Sequence, residues 1–349
     1  MQIKTFIVIG ENIHCTRVLK RDGNLVDAAA RAIRYDDGGR KKTLPIPEIF
    51  LKSADWENGK IKHCAAAIWQ GMNGQGAAQE AGRDYLRVMA AKQEKAGAAF
   101  LDVNVDEFSM DLSERIKAMQ WTAALVQDAS RLPLSIDSSN SDIMRAGLKA
   151  CEQARGRPAC NAGRSTAGRP MVNSISLERI GLLDAAAEYK PAVVASAAGE
   201  KGLPANTEER LANLERLIPQ LTAKGIQLDW IHVDPLVYTI STEANNGRMF
   251  LAAVQAIRAK YGPAIHIIGG LSNVSFGMPA RKLINQVFAY LAVEAGGDGG
   301  IVDPLQINAK ILQGLDPKTE PFQLAKALLL GTDEFGMNFI AAHRDGKLG

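Results

Sequence analysis

Gly269-Gly270-Leu271-Ser272-Asn273-Val274-Ser275-Phe276-Gly277 is the stretch on which the reading of this chain turns. A short apolar run, Ile265 to Ile268, stops at two glycines and a polar Ser-Asn pair, and helical apolar spacing resumes after Pro279. Four apolar residues bounded by turn formers read as a buried strand that delivers an amide side chain into the loop at its carboxyl end. In a parallel α/β barrel, ligands bind at that end.

The arrangement recurs. Strand-like runs stand at Phe6–Ile9, Phe100–Val105, Leu134–Ile136, Met171–Ser174, Ala192–Ser196, Ile231–Val233, Ile265–Ile268 and Gly300–Val302. Between them lie stretches with three- and four-residue apolar spacing, among them Asp84–Ala96, Ser113–Ala129, Asp142–Cys151, Glu208–Lys224, Gly247–Tyr261 and Arg281–Ala295. Thr207 and Asp142 are the expected helix-start residues for two of these, and Asp111 for a third. Eight strands alternating with helices predict a single α/β domain over residues 1–349, a (β/α)8 TIM barrel. A doubly wound sheet is the alternative, but no GxGxxG follows the first strand. A long insertion, residues 16–82, separates the first strand from its helix and is expected on the carboxyl-end face. It carries basic clusters (Lys20, Arg21; Arg40, Lys41, Lys42) and a glycine-rich Gly71-Met-Asn-Gly-Gln-Gly76. Gln153 to Pro170, joining a helix to the next strand, reads as a surface excursion on the opposite face.

Composition narrows the function classes. Lys and Arg total 41 against 38 Asp and Glu, a net charge of +3 that gives no footprint for nucleic acid. The four cysteines (Cys15, Cys64, Cys151, Cys160) form no CxxC pair, so no zinc knuckle or disulfide framework is expected. No run is apolar and long enough to cross a bilayer, and no signal peptide opens the chain, so a cytoplasmic protein is expected. Gly71–Gly76 lacks the Lys-Ser/Thr ending of a P-loop. His14-Cys15 and His63-Cys64 have no completing ligands nearby in sequence, and no metal is expected.

The strand ends read Glu11-Asn12, Asp102 with Asn104, Asp137-Ser138-Ser139-Asn140, Asn173-Ser174, Asp234-Pro235, Ser272-Asn273 and Asp303-Pro304. Singly, each Asp or Asn is a natural cap for the helix that follows. Together they predict an acceptor-rich mouth almost without cations, which costs desolvation unless a ligand satisfies it. Such a mouth suits a neutral heteroaromatic ring with several N–H donors better than a phosphate; a pterin has that pattern. Asp303 stays open between site and turn.

Six segments carry a family resemblance: Ile9-Gly-Glu-Asn-Ile-His14, Leu101-Asp-Val-Asn-Val105, Pro133-Leu-Ser-Ile-Asp-Ser-Ser-Asn140, Met171-Val-Asn-Ser-Ile-Ser176, His232-Val-Asp-Pro-Leu236 and Gly270-Leu-Ser-Asn-Val-Ser275. In this order the chain resembles the pterin-binding methyltransferases that act between methyltetrahydrofolate and corrinoid proteins, and the folate domain of cobalamin-dependent methionine synthase. Dihydropteroate synthase shares parts of the pattern. The resemblance implies that Asp137, Asn173 and Asp234 bind the aminopyrimidinone edge of the pterin, and that Asn273 lies near N5 and its methyl group. Asp102, Asn104 and Glu11 match further family positions. Tetrahydrofolate or 5-methyltetrahydrofolate is then the substrate. No Asp-x-His-x-x-Gly segment occurs, so the corrinoid is expected on a corrinoid-binding partner or as free cobalamin. A homodimer working in one-carbon metabolism is expected. The chain departs from the family at His14, where an asparagine is usual, and at Ala197 and Ala198, where polar residues are.

For such a transfer N5 must be protonated or strongly hydrogen-bonded when it leaves the methyl group, so a distributed answer is expected: Asn273 at N5, with Asp137 or Asp102 and water completing the network. His14 has the pKa of an acid, but a structural hydrogen bond is its plainer reading. Two other functions stay open at this point, a dihydropteroate synthase using Arg281 and Lys282, and a non-catalytic pterin-binding subunit. The basic clusters of the insertion read as a solvated face or as a contact for an acidic partner.

Overall fold

A computed structural model describes residues 5–155 and 168–348. Cys160 and most of the excursion expected at Gln153 to Pro170 lie outside them. Thirteen strands are described: β1 (Ile7–His14), β2 (Val18–Lys20), β3 (Val26–Asp27), β4 (Ala32–Asp37), β5 (Arg40–Pro45), β6 (Lys60–Lys62), β7 (Phe100–Asn104), β8 (Leu134–Asp137), β9 (Met171–Ile175), β10 (Ala192–Ser196), β11 (Ile231–Asp234), β12 (His266–Ile267) and β13 (Gly299–Val302). Eight of them form one sheet in the order β12-β11-β10-β9-β8-β7-β1-β13, with parallel pairing at β7–β8, β10–β11, β11–β12 and β1–β13. Past the last strand, Ile301 N–H donates to Gly269 O at 2.9 Å and Asp298 N–H to Ile267 O at 2.8 Å, joining the two end strands of that order. This is the (β/α)8 topology expected from the eight apolar runs.

By contacts the chain divides into two compact units, one of Met1–Gly10, Ala96–Ala99 and Asn173–Gly349, the other of Glu11–Lys95 and Phe100–Val172. In the first, β10 and β11 are buried on both faces except at Asp234, as parallel strands flanked by helices must be. A Cβ on Gly299 would collide with the Ile7 carbonyl oxygen, so β13 can run beside β1 only with glycine there. Helix Thr207–Ala223 starts at its expected cap, so the true cap lies one residue earlier. Asn206, not Thr207, accepts the Glu209 N–H on its side-chain Oδ1 at 2.9 Å, because the extended backbone at Asn206 aims the side chain back at the first turn.

In the second unit, Asp111 caps helix Leu112–Ala129 as expected, taking the Ser113 and Glu114 N–H groups. Helix Ser141–Arg155 is capped by Asn140, which accepts from Asp142 and Ile143; Asp142 is the group served rather than the cap. The helix expected from Asp84 begins at Gly76, so residue 82 falls inside it. Gly82 closes against the backbone of Gly71, packing helix Gly76–Lys95 on helix His63–Asn73, and Gly71 closes against Trp121 of helix Leu112–Ala129.

The segment after β1 is folded throughout. β2 pairs antiparallel with β6, and β3–β4–β5 form an antiparallel sheet. Gly38 and Gly39, at φ 60° and 95°, make the two-residue turn of the β4–β5 hairpin. Its cations are locally neutralised: Arg40 meets Asp37, Lys41 meets Asp36, Lys42 meets Asp37 and Asp84, and Arg34 meets Asp27. Paired charges of this kind form a solvated face and leave little field for an acidic partner.

Candidate functional site

In the Glu11–Lys95 and Phe100–Val172 unit, the expected residues of β1, β7 and β8 meet at Asp137. Register opposes Asn104 to Asp137, and Asn104 Nδ2 donates to Asp137 Oδ2 at 3.0 Å. The amide is oriented by Asp106 N–H, which donates to Asn104 Oδ1 at 2.9 Å. His14 Nε2 reaches the same carboxylate oxygen at 3.3 Å. Thr16 N–H donates to His14 Nδ1 at 3.3 Å, and Thr16 Oγ1 lies 2.6 Å from it. A backbone N–H only donates, so Nδ1 is the acceptor and the neutral ring carries its proton on Nε2, pointing at Asp137.

Burial opposes a charge on His14, but the hydrogen bond and charge of Asp137, with Asp102 and Glu11, outweigh it and raise its pKa above 6.5. Asp102 is 1% exposed. Ligand atoms of His14, Asp102 and Asp137 lie within 4.8 Å of one another, close enough for one cation, yet both ring nitrogens of His14 are already engaged. Glu11 turns to Arg17, whose Nη2 donates to Oε1 at 2.7 Å and whose Nε donates to the Glu11 carbonyl at 2.8 Å. His63 packs inside this unit, takes the Tyr85 hydroxyl at 3.0 Å and is pushed down to about 4 by burial, a neutral core histidine.

In the Asn173–Gly349 unit, Asn173 is partly buried in β9, and Asp234 ends β11. Asp234 Oδ1 accepts the Leu236 N–H at 2.8 Å, across a turn in which Leu236 takes φ 71°. Burial pushes the Asp234 carboxyl up to about 6; the Leu236 N–H and the Arg210 guanidinium pull the other way and lose. Asn273 stands exposed on a single 3-10 turn, Leu271–Ser275, where a longer regular helix was not expected either. The turn is braced by Arg281, which donates to Ser275 Oγ and Ser272 O at 3.0 Å each and lies over the Phe276 ring at 4.4 Å. Ile240 N–H to Val274 O at 2.9 Å and Thr239 Oγ1 to Phe276 O at 2.8 Å tie the β11 loop to it. Asn273, Tyr238, Phe276 and Leu203 line a cavity of about 680 Å³ open to solvent. Asp303 accepts the Leu305 N–H and a Gln306 Nε2 proton within its own turn.

A Cβ at Gly270 would lie 2.9 Å from Asn273 Nδ2. Gly270→Ala is therefore expected to turn the Asn273 amide aside at little cost in stability, since the displaced atom ends a flexible side chain. If Asn273 acts on substrate, turnover should fall roughly tenfold with an unchanged melting temperature; unchanged turnover would free Asn273 of that role.

Sequence reasoning missed Arg210, Arg17, Asp106 and Tyr238. Arg210 alone left a signal: it shares an apolar helical stripe with Leu214, Leu217 and Leu221, where a cation is out of place.

Residues 82–303 match the family model described as pterin binding enzyme. A methylcorrinoid:tetrahydrofolate methyltransferase of Eubacterium limosum is 30% identical over 280 residues, 78% of this chain and 92% of the relative. A methionine synthase of Mycobacterium leprae is 31% identical over 240 residues, 64% of this chain and 18% of the relative. Among solved structures, a Yersinia pestis dihydropteroate synthase with a pterine-sulfa conjugate aligns with TM-score 0.49 at 17% identity, over 72% of this chain and 88% of that one.

Proposed function

The chain belongs to the pterin-binding enzyme family, and from that premise we propose that it is a methyltransferase moving a methyl group between N5 of tetrahydrofolate and the cobalt of a corrinoid. The observation that carries this is the match to the methylcorrinoid:tetrahydrofolate methyltransferase over nearly its whole length.

The finer reading assigns Asp137, Asn173 and Asp234 to the N–H donors of the pterin, Asn273 to N5, and Asp102, Asn104 and Glu11 to supporting places. The hydrogen bonds of Asn104 and His14 to one oxygen of Asp137 support it, because they fix that carboxylate as an acceptor. In the folate-forming direction the N5 lone pair attacks the methyl carbon of a methylcorrinoid. The cobalt–carbon bond breaks with both electrons going to cobalt, and the N5 proton leaves. In reverse, N5 takes up a proton as it gives up the methyl group, and a hydrogen-bond donor there lowers that barrier. The chain's part is to hold the ring, orient N5 and stabilise the charge that changes on it.

The corrinoid would arrive on a corrinoid-binding protein or as free cobalamin. A cytoplasmic homodimer is part of this proposal; the free thiols of Cys15, Cys64 and Cys151 suit a reducing compartment. A dihydropteroate synthase would need a basic pair, with Arg281 and Lys282 the candidates, and Arg281 instead braces the Asn273 turn.

Anaerobic incubation with methylcobalamin and tetrahydrofolate tests the proposal. The expected result is a protein-dependent shift of the cobalamin spectrum toward cob(I)alamin together with 5-methyltetrahydrofolate. No spectral change in either direction of transfer would overturn it.

A further inference from the structure

Arg210 is 1% exposed, in the first turn of helix Thr207–Ala223 and on that helix's apolar stripe. Its Nε donates to Pro235 O at 2.7 Å, and its guanidinium lies 5.0 Å over the centre of the Tyr238 ring. Nη1 is buried and makes no hydrogen bond among the described residues. A buried cation with an unmet donor is a poor device for stability, because hydrocarbon of the same volume fills such a place at least as well.

What the guanidinium touches is the turn that presents Asp234. Pro235 follows the carboxylate, Leu236 holds a left-handed backbone pinned by Asp234 Oδ1, and Tyr238 ends the turn with its hydroxyl on Pro204 O at 2.9 Å. We propose that Arg210 is the positioning residue for Asp234, keeping that carboxyl ionised and its turn in the shape that receives the N–H donors of a pterin. The pterin part rests on the function proposed above.

The sign follows from simple electrostatics. A cation favours the ionised form of a nearby acid and burial disfavours it. With Arg210 present, burial already pushes Asp234 up to about 6. The groups bearing on this pair are Arg210 and Glu209 from the helix and Tyr238 from the turn. Without the guanidinium the carboxyl rises further, into the range where much of it is protonated at neutral pH. A protonated carboxyl offers one acceptor fewer and an unwanted donor to an edge made of donors.

Two measurements on Arg210→Met test this: the carboxyl carbon-13 titration of Asp234 without folate, and tetrahydrofolate affinity across pH. The Asp234 titration should move up by about one pH unit. Affinity relative to wild type should fall about twofold at neutral pH and nearly tenfold near pH ~5.5, and return to the wild-type value at pH ~9, where Asp234 is ionised in both. A merely structural arginine would weaken binding equally at every pH. An unmoved Asp234 titration in a variant with wild-type circular dichroism would overturn the proposal. Should Asp234 shift while Asp234→Asn binds tetrahydrofolate like wild type, the hold of Arg210 on Asp234 stands and the pterin assignment of Asp234 falls. If the methionine variant does not fold, Arg210→Gln, which keeps a donor for Pro235 O without the charge, carries the same test.

Discussion

Asn273→Ala is expected to slow methyl transfer about 100-fold while weakening folate binding no more than about threefold. The asymmetry follows from where charge changes. Bound folate presents N5 as a weakly basic amine in the ground state, so a hydrogen bond to it contributes little to affinity. As the methyl group departs, the electron pair of the breaking bond collects on N5, and a donor placed there becomes worth several kcal/mol. An effect confined to the transition state lowers kcat and leaves binding nearly intact. The loss stays at about two orders of magnitude because Asn273 is exposed beside an open cavity; water can enter the vacated place and recover part of the interaction. Single-turnover kinetics under anaerobic conditions, beside a direct folate titration, separate the two quantities. Equal losses in rate and affinity would mean that the amide holds the pterin and does not assist the reaction.

The strands were legible because burial on both faces leaves little freedom. Leu134–Ile136 and Ile231–Val233 were each found within a residue, and the structure only adds the acid that ends each, Asp137 and Asp234. Capping was less legible, for a physical reason. Asn206 and Thr207 are neighbours that differ in which backbone is extended, and Asn140 and Asp142 flank the same helix start, so nearby polar residues compete for the cap on nearly equal terms. The β4–β5 hairpin was written plainly in Gly38-Gly39, but the neighbouring cations drew the reading toward surface charge. The acids that neutralise them, Asp27, Asp36, Asp37 and Asp84, become partners only once the strands pair. The same holds at the candidate site. Sequence named Asp137 and Asn104 as acceptors but left His14 between acid and structural bond, since the choice depends on Thr16 meeting one ring nitrogen and Asp137 the other. Arg210 was passed over because helical periodicity marks a face as buried and says nothing about what the face encloses.

Asp137→Asn is expected to reduce tetrahydrofolate affinity about 100-fold and to reverse the pH response that His14 gives to stability. The substitution keeps shape but not polarity. Asn104 and His14 both donate to Oδ2, so the variant amide must put its one oxygen there and turn its NH2 toward whatever the other carboxylate oxygen received. A pterin edge made of N–H groups then faces a donor, and an unpaired donor on each side costs roughly 3 kcal/mol. In the wild type, His14 has a folded pKa raised above the 6.5 of the unfolded chain. Its contribution to stability is therefore fully present below 6.5 and is lost as pH rises through the raised value. Without the carboxylate, burial dominates and the folded pKa drops below 6.5; protonation then favours the unfolded chain, and the variant loses stability on acidification. The gap between wild-type and variant melting temperatures should accordingly widen from about pH 8 down to about pH 6. Parallel curves would show that His14 and Asp137 do not share a proton-linked bond, whatever the effect on folate. Unchanged folate affinity beside diverging curves would keep the bond and remove Asp137 from the pterin edge. Only the loss of both ties the one histidine that departs from the family pattern to the carboxylate that the family pattern assigns to substrate.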